Sequence, residues 1–161
     1  CGDVIGDIDF DLPEDEKMQA GSKHKDLLKL VTPGDNYLFF TKERGHSNPI
    51  FKWRSRYWSF LLKLSPDRPS WTIQASHSNN MGPFHWKNRF LRIQEIKRIQ
   101  SFKDNHIFLG NYREQWRQVG NAVPPKLAQV FAEQLMKQYF NNYERTRHDN
   151  SRQERLKVST Y

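Results

Sequence analysis

Three cations stand two residues apart in FKWRSRYW, residues 51 to 58, where Lys52, Arg54 and Arg56 alternate with Phe51, Trp53 and Tyr57. Successive side chains of an extended strand point to opposite faces, so on a strand this spacing puts all three cations on one face. Such a face grips phosphates, and an arginine at its end reaches a guanine edge with two hydrogen bonds. The alternative is a strand whose long cationic side chains lie over aromatic surface and keep only their heads in water.

Two other stretches carry residue types that chemistry uses. In HSNNMGPFHWKN, residues 77 to 88, His77, Asn79, Asn80 and His85 have the make-up of a His-Asn nuclease loop, with a polar surface loop as the plainer alternative. The six histidines form no H-E-x-x-H and no pair four residues apart, so no metal site is expected. There is no G-x-S-x-G elbow, P-loop or complete G-x-G-x-x-G, which leaves nucleophilic and nucleotide-fold readings without support. In RQVGNAVPP, residues 117 to 125, a Gly-Asn turn precedes two prolines. Proline loses nothing at the first position of a helix, so a helix is expected to begin at Pro124 or Pro125. Gly120 and Asn121 tolerate tight or left-handed turns, and amides left open ahead of a helix hold polar ligands; an ordinary rigid helix start is the alternative.

These groups need elements to position them. Runs at 36 to 40, 56 to 64 and 70 to 76 read as strands bounded by turn residues, and Leu27, Leu28 and Val31 mark a short helix stopped by Pro33-Gly34. From residue 91 the period changes: Leu91, Ile93, Ile96, Ile99 and Phe102 fit a helix with Arg92, Glu95, Lys97 and Arg98 on its wetter faces. Leu127, Val130, Phe131 and Leu135 give the last helix one apolar stripe. The fold class expected is α+β: a small mixed β domain with a few helices and a C-terminal helix. The organisation expected is an acidic connecting segment at 1–20, a domain at 21–115, a turn and helix at 116–140, and a basic tail at 141–161.

The chain of 161 residues carries a net charge of +8, unevenly spread. Residues 1 to 20 hold seven carboxylates against Lys17, leaving 25 cations and 11 carboxylates for the rest, a surplus of +14. That surplus favours a polyanionic partner, with a solvated basic surface as the alternative. No apolar run reaches the ~18 residues of a membrane span, and Cys1 is the only cysteine, which excludes internal disulfides and thiolate-clustered zinc. A start at Cys1 rather than Met reads as a cut through a longer protein.

Three blocks stand in order from residue 69: P-S-x-T-I at Pro69 to Ile73, R-x-L-x-x-x-E-x-x-R-x-Q-x-F at Arg89 to Phe102, and Q-x-G-N-A-V-P-P at Gln118 to Pro125. Their order and spacing resemble the carboxy-terminal portion of DNA cytosine-5 methyltransferases, and GDVIGDI near the start resembles the stretch before that family's target-recognition region. The resemblance implies a target-recognition domain and a final helix that packs on a Rossmann-like domain absent from this sequence. It implies double-stranded DNA and an N-terminal catalytic domain or subunit as partners, S-adenosylmethionine as a cofactor shared with that domain, and a cytoplasmic, bacterial, restriction-modification setting. Asn121, Ala122 and Val123 then match cofactor-side positions, Thr72 the position beside the flipped base, and Arg89 the position bracing the recognition domain. The loops at 44 to 58 and 76 to 86, with His77, Asn79 and Asn80, correspond to those entering the major groove.

The sequence departs from the family where it matters for chemistry. A Pro-Cys nucleophile, an E-N-V block and the F-x-G-x-G turn are absent, so by resemblance this stretch holds no catalytic residue and is not the complete enzyme. Ser78-Asn79-Asn80-Met81 replaces the usual glycine pair, and Phe102-Lys103-Asp104 the usual F-P-D. A stand-alone DNA-binding module and a nuclease using His77, Asn79 and His85 are the rival readings.

Overall fold

The longer helices of this chain begin where the first turn can be closed locally. The computed structural model describes residues 1–20, 22–76 and 78–140. Among them α1 runs Gly2–Ile5, α2 Lys25–Leu30, α3 Ile93–Ile99, α4 Tyr112–Asn121 and α5 Pro125–Leu135, the last followed by a π-helical turn at Met136–Phe140. At α4 the Asn111 side chain accepts from the Glu114 amide (3.1 Å) while the Glu114 carboxylate accepts from the Asn111 amide (2.8 Å), a reciprocal cap that satisfies two otherwise unpaired donors. At α3 the Glu95 carboxylate accepts from the Arg92 amide (2.8 Å). α5 has no side-chain cap and starts on Pro125, whose missing N–H costs nothing there.

The α+β class expected from the sequence is corrected by the structure, because the described residues contain no β-strand. The run at 36–40 closes as a 3-10 turn over Tyr37–Phe40, with the Asn36 side chain accepting from the Leu38 amide (3.0 Å). The run at 56–64 starts in a second such turn, Ser55–Tyr57, and is broken by the left-handed backbone of Leu61 (φ 53°). Residues 70–76 follow no regular element. Alternating apolar residues make a strand only when a neighbour supplies a continuous ladder. Here the backbone groups are satisfied by single cross-connections, such as Leu64 N–H to Phe84 O (2.8 Å) and Phe84 N–H to Leu62 O (2.9 Å), leaving only isolated bridges.

The chain divides into two compact units, Cys1–Ala122 and a second that begins at Val123. The first has two apolar clusters. One joins Leu28, Val31, Tyr37, Phe40, Leu61 and Phe84; the other joins Leu64, Ile73, Leu91, Ile96, Trp116 and Val119, and so ties α3 and α4 to the 64–73 segment. The Trp116 indole donates to the Gln74 carbonyl (2.8 Å) and the Tyr112 hydroxyl to the Leu91 carbonyl (2.7 Å).

Gly120 and Asn121, expected in a turn, are instead the last residues of α4, which stops at Ala122 in extended backbone. The helix has to end there because Val123 precedes a proline, which disfavours helical backbone. Gly120 serves a close approach: a Cβ at this position would lie 2.6 Å from the Gln74 oxygen and 2.7 Å from the Ala75 Cα. In the second unit, Leu127, Val130, Phe131 and Leu135 of α5 are between 48 and 62% exposed. No described helix is long and apolar enough to cross a membrane.

Candidate nucleic-acid interface and its charge-paired support

Arg89 sits 4% exposed on the loop before α3. Its two terminal nitrogens donate to both oxygens of Glu95 (2.9 and 2.7 Å), a fork that matches the planar carboxylate. Glu95 is fully buried and also caps α3. This corrects its expected place on a wet face; Lys97 is corrected likewise, being buried with its ammonium donating to the Asp104 carbonyl (2.9 Å). Both polar groups tolerate burial because each has a partner of opposite polarity.

The acidic opening supplies the remaining counter-charges. Arg92 donates from two nitrogens to the Asp15 carboxylate, one of them at 3.0 Å, and to the carbonyls of Ile8 (2.9 Å) and Phe10 (2.6 Å). The Arg92 guanidinium holds the Asp15 carboxyl below the usual aspartate value. Trp86 donates to Asp9 (2.9 Å), Lys87 reaches Asp11 (3.0 Å), and Arg98 spans Asp7 (2.5 Å) and Asp104 (2.8 and 2.7 Å). The departure Phe102-Lys103-Asp104 thus retains the carboxylate that Arg98 uses.

His85 lies at the middle of this network, fully buried. Its Nδ1 accepts from the Lys87 amide (3.1 Å), which places the proton of the neutral ring on Nε2. Nε2 faces Asp9 Oδ1 at 3.3 Å and Glu95 Oε1 at 3.7 Å, contacts at ion-pair distance that lack hydrogen-bond geometry. Burial dominates and pushes the imidazole down to about 4, against the opposing pull of Glu95. Asp9, His85 and Glu95 could in principle hold a metal, since their ligand atoms all lie within 4.8 Å of one another. The Arg89 guanidinium already supplies the positive charge there, 2.7 Å from Glu95 and 3.7 Å from Asp9, so the cluster is neutralised by protein cations.

On the face that carries the FKWRSRYW segment the cations are in a different situation. Lys52, Arg54 and Arg56 are all exposed, and among the described residues none forms an ion pair. The strand expected to align them is absent: Arg54 is extended, whereas Arg56 lies in the 3-10 turn. The segment is instead held by its backbone, since the Tyr37 hydroxyl donates to the Arg54 carbonyl (2.5 Å) and accepts from the Arg54 amide (2.9 Å). Beside it opens a cleft of about 580 Å³ that Lys52, Arg54, Phe51, Phe60, Asn80 and Met81 help to line.

The structure brings exposed Lys52 and Arg54 and half-buried Asn80 together at this cleft; Arg56 and Asn79, both exposed, do not line it. Thr72 is exposed between exposed Trp71 and buried Ile73. His77 lies outside the described residues. His85, offered above as a nuclease group, is closed off from solvent. Asn121 is exposed and Ala122 half-buried at the end of the first unit, and Val123, 64% exposed, opens the second. The residues missed by sequence reasoning are Tyr37, Asp9 and Asp15, whose roles depend on partners 17 to 77 positions away. An excess of carboxylates in one segment and of arginines in another was the available signal.

The model of the family described as C-5 cytosine-specific DNA methylase matches residues 3–137. Type II methyltransferase M.SacI of Streptomyces achromogenes is 46% identical over 138 residues, covering 80% of this chain and 35% of that protein. Type II methyltransferase M.BbvI of Brevibacillus brevis is 28% identical over 134 residues, with the same coverage of both chains. M1.HphI of Haemophilus parahaemolyticus is 49% identical over 81 residues, half of this chain and 21% of that protein. No solved structure matches. The chain spans about a third of the length of the first two of these relatives. With residues 3–137 matched, from the acidic segment through α5, the chain belongs to the C-5 cytosine-specific DNA methylase family.

Proposed function

We propose that this chain is the target-recognition part of a DNA (cytosine-5)-methyltransferase, together with the segment that completes its S-adenosylmethionine pocket. The observation that carries the reading is the division of its cations. Arg89, Arg92 and Arg98 are held by carboxylates, while Lys52, Arg54 and Arg56, on a segment fixed by its backbone, have no ion-pair partner among the described residues. Unpaired cations on a fixed support suit phosphate contacts, and the cleft among them suits base edges. Thr72 and Asn79 lie on exposed segments that can join the same duplex, with His77 assigned there by resemblance. Asn121, Ala122 and Val123 face the cofactor once a catalytic domain carrying the Pro-Cys and Glu blocks is supplied. The chain itself contributes no nucleophile; it positions DNA and closes the cofactor site.

The experiment is complementation with the amino-terminal part of M.SacI, up to the start of the matched region. Tritium should pass from labelled S-adenosylmethionine to duplex DNA with both parts present and with neither alone. Asn121→Ala in the pair should weaken cofactor binding by about 1–3 kcal/mol, the cost of an unpaired buried polar group, with DNA affinity nearly unchanged. Two parts that associate and bind DNA without transferring a methyl group would support a stand-alone DNA-binding module instead.

A further inference from the structure

The cleft beside the cationic segment has a composition that phosphate contact does not explain. Its walls include Ile50, Phe51, Phe60 and Met81, and three of its rings brace one another edge to face: Tyr37 and Phe51 at 5.9 Å, Tyr37 and Phe60 at 5.6 Å, Phe51 and Phe60 at 5.5 Å. A hydrophobic surface of this kind, lined partly by half-exposed side chains, is built to receive an apolar group rather than a charge. Lys52 and Arg54 on the same cleft supply the charge that draws a polyanion to it.

Asn80 adds a polar group of a definite kind. Its carbonyl is tied to the Leu61 amide (2.9 Å), which fixes the backbone, yet its shielded side-chain Oδ1 has no partner among the described residues. An amide not committed to an internal bond can turn about its last torsion to meet a ligand, and a shielded acceptor left unpaired gains most from doing so.

We propose, resting on the DNA-recognition reading above, that this cleft reads an A·T pair of the target duplex. The thymine C5 methyl lies against Phe51, Phe60 and Met81, and the Asn80 amide meets the adenine edge. Thymine alone among the four bases presents an apolar group in the major groove, and its partner presents the N6 amine and N7 that an asparagine amide matches with two hydrogen bonds. A G·C pair offers this cleft no methyl. Asn80 and Met81 are thereby specificity-determining residues, distinct from the cations that hold the backbone.

The test uses the chain itself to select duplexes from a random pool, followed by single thymine-to-uracil changes in the selected sequence. One position should lose about fourfold in affinity, the worth of one buried methyl, and Met81→Ala should abolish that difference. Replacing the opposite adenine by purine, which lacks the N6 amine, should cost about tenfold, a loss that Asn80→Ala should remove. Selected duplexes indifferent to methyl loss at every thymine, or a sensitivity that both variants leave intact, would overturn the inference while leaving DNA recognition standing. Retention of no duplex at all would overturn the recognition reading and this one with it.

Discussion

Arg89 and Arg54 are the same residue type in one compact unit, and the fold uses them in opposite ways. Arg89 is buried, with its fork closed on Glu95 and with Asp9 and Asp15 nearby. Arg54 is exposed, and among the described residues its backbone is engaged, by the Tyr37 hydroxyl, while its guanidinium has no ion-pair partner. A cation enters a protein interior only where carboxylates or hydrogen-bonding oxygens meet it, because desolvation otherwise outweighs everything it gains. A cation meant for an outside partner has to stay unpaired, since an internal carboxylate would compete for it. The +8 charge is therefore no measure of the positive charge left exposed, as much of the arginine in residues 89–98 is neutralised by the acidic opening.

The largest effect expected from breaking this contrast is on the buried side. Arg89→Ala should cost about 3–5 kcal/mol of stability in denaturant unfolding, because it strands the Glu95 charge. Replacing both partners with apolar residues, Arg89→Met with Glu95→Leu, should recover much of that loss. A double variant as unstable as the single one would mean that packing, and not charge pairing, dominates the junction. Gly120→Ala should cost about 1–3 kcal/mol by forcing α4 away from the backbone of Gln74 and Ala75. A neutral result would show that α4 can shift without loss.

The same junction should make the chain sensitive to acid. His85 titrates at about 4 in the folded chain against an ordinary 6.5, so between those values the unfolded chain binds a proton that the folded one does not. Stability then falls as pH falls from 6.5 toward 4. Asp15, lowered by Arg92, extends the loss below its ordinary 3.8. His85→Gln should flatten the upper part of that slope, read as the thermal midpoint across pH 4 to 7. An unchanged slope would assign the acid response to other groups.

The smallest stability effects belong to the exposed side, where function should change most. Lys52→Ala, Arg54→Ala and Arg56→Ala should each alter stability by no more than about 0.5 kcal/mol. Each that contacts a phosphate should lower the log–log salt slope of DNA binding by about 1. If all three left the slope unchanged, they would be side chains covering aromatic surface and the contrast would vanish. Tyr37→Phe sharpens the comparison: it should cost about 1 kcal/mol through its lost hydrogen bonds and weaken DNA binding only by loosening the segment that presents Arg54.

What the sequence by itself determined was local or carried in ordered blocks. Pro125 starts α5 because proline suits the first turn whatever surrounds it, and Asn111 with Glu114 starts α4 by a bond three residues long. The blocks from Pro69 to Pro125 pointed to the family through their order and spacing. The expected strands did not form, because a strand is a property of two segments, and Tyr37–Phe40 and Ser55–Tyr57 close on themselves when no ladder is offered. Glu95 looks like a surface residue in its own helix, and only Arg89 and the acidic opening folded over it explain its burial. Which cations are paired and which have no partner among the described residues was decided by the tertiary structure alone, since pairing depends on carboxylates as far as 91 positions away and on the desolvation that their meeting imposes.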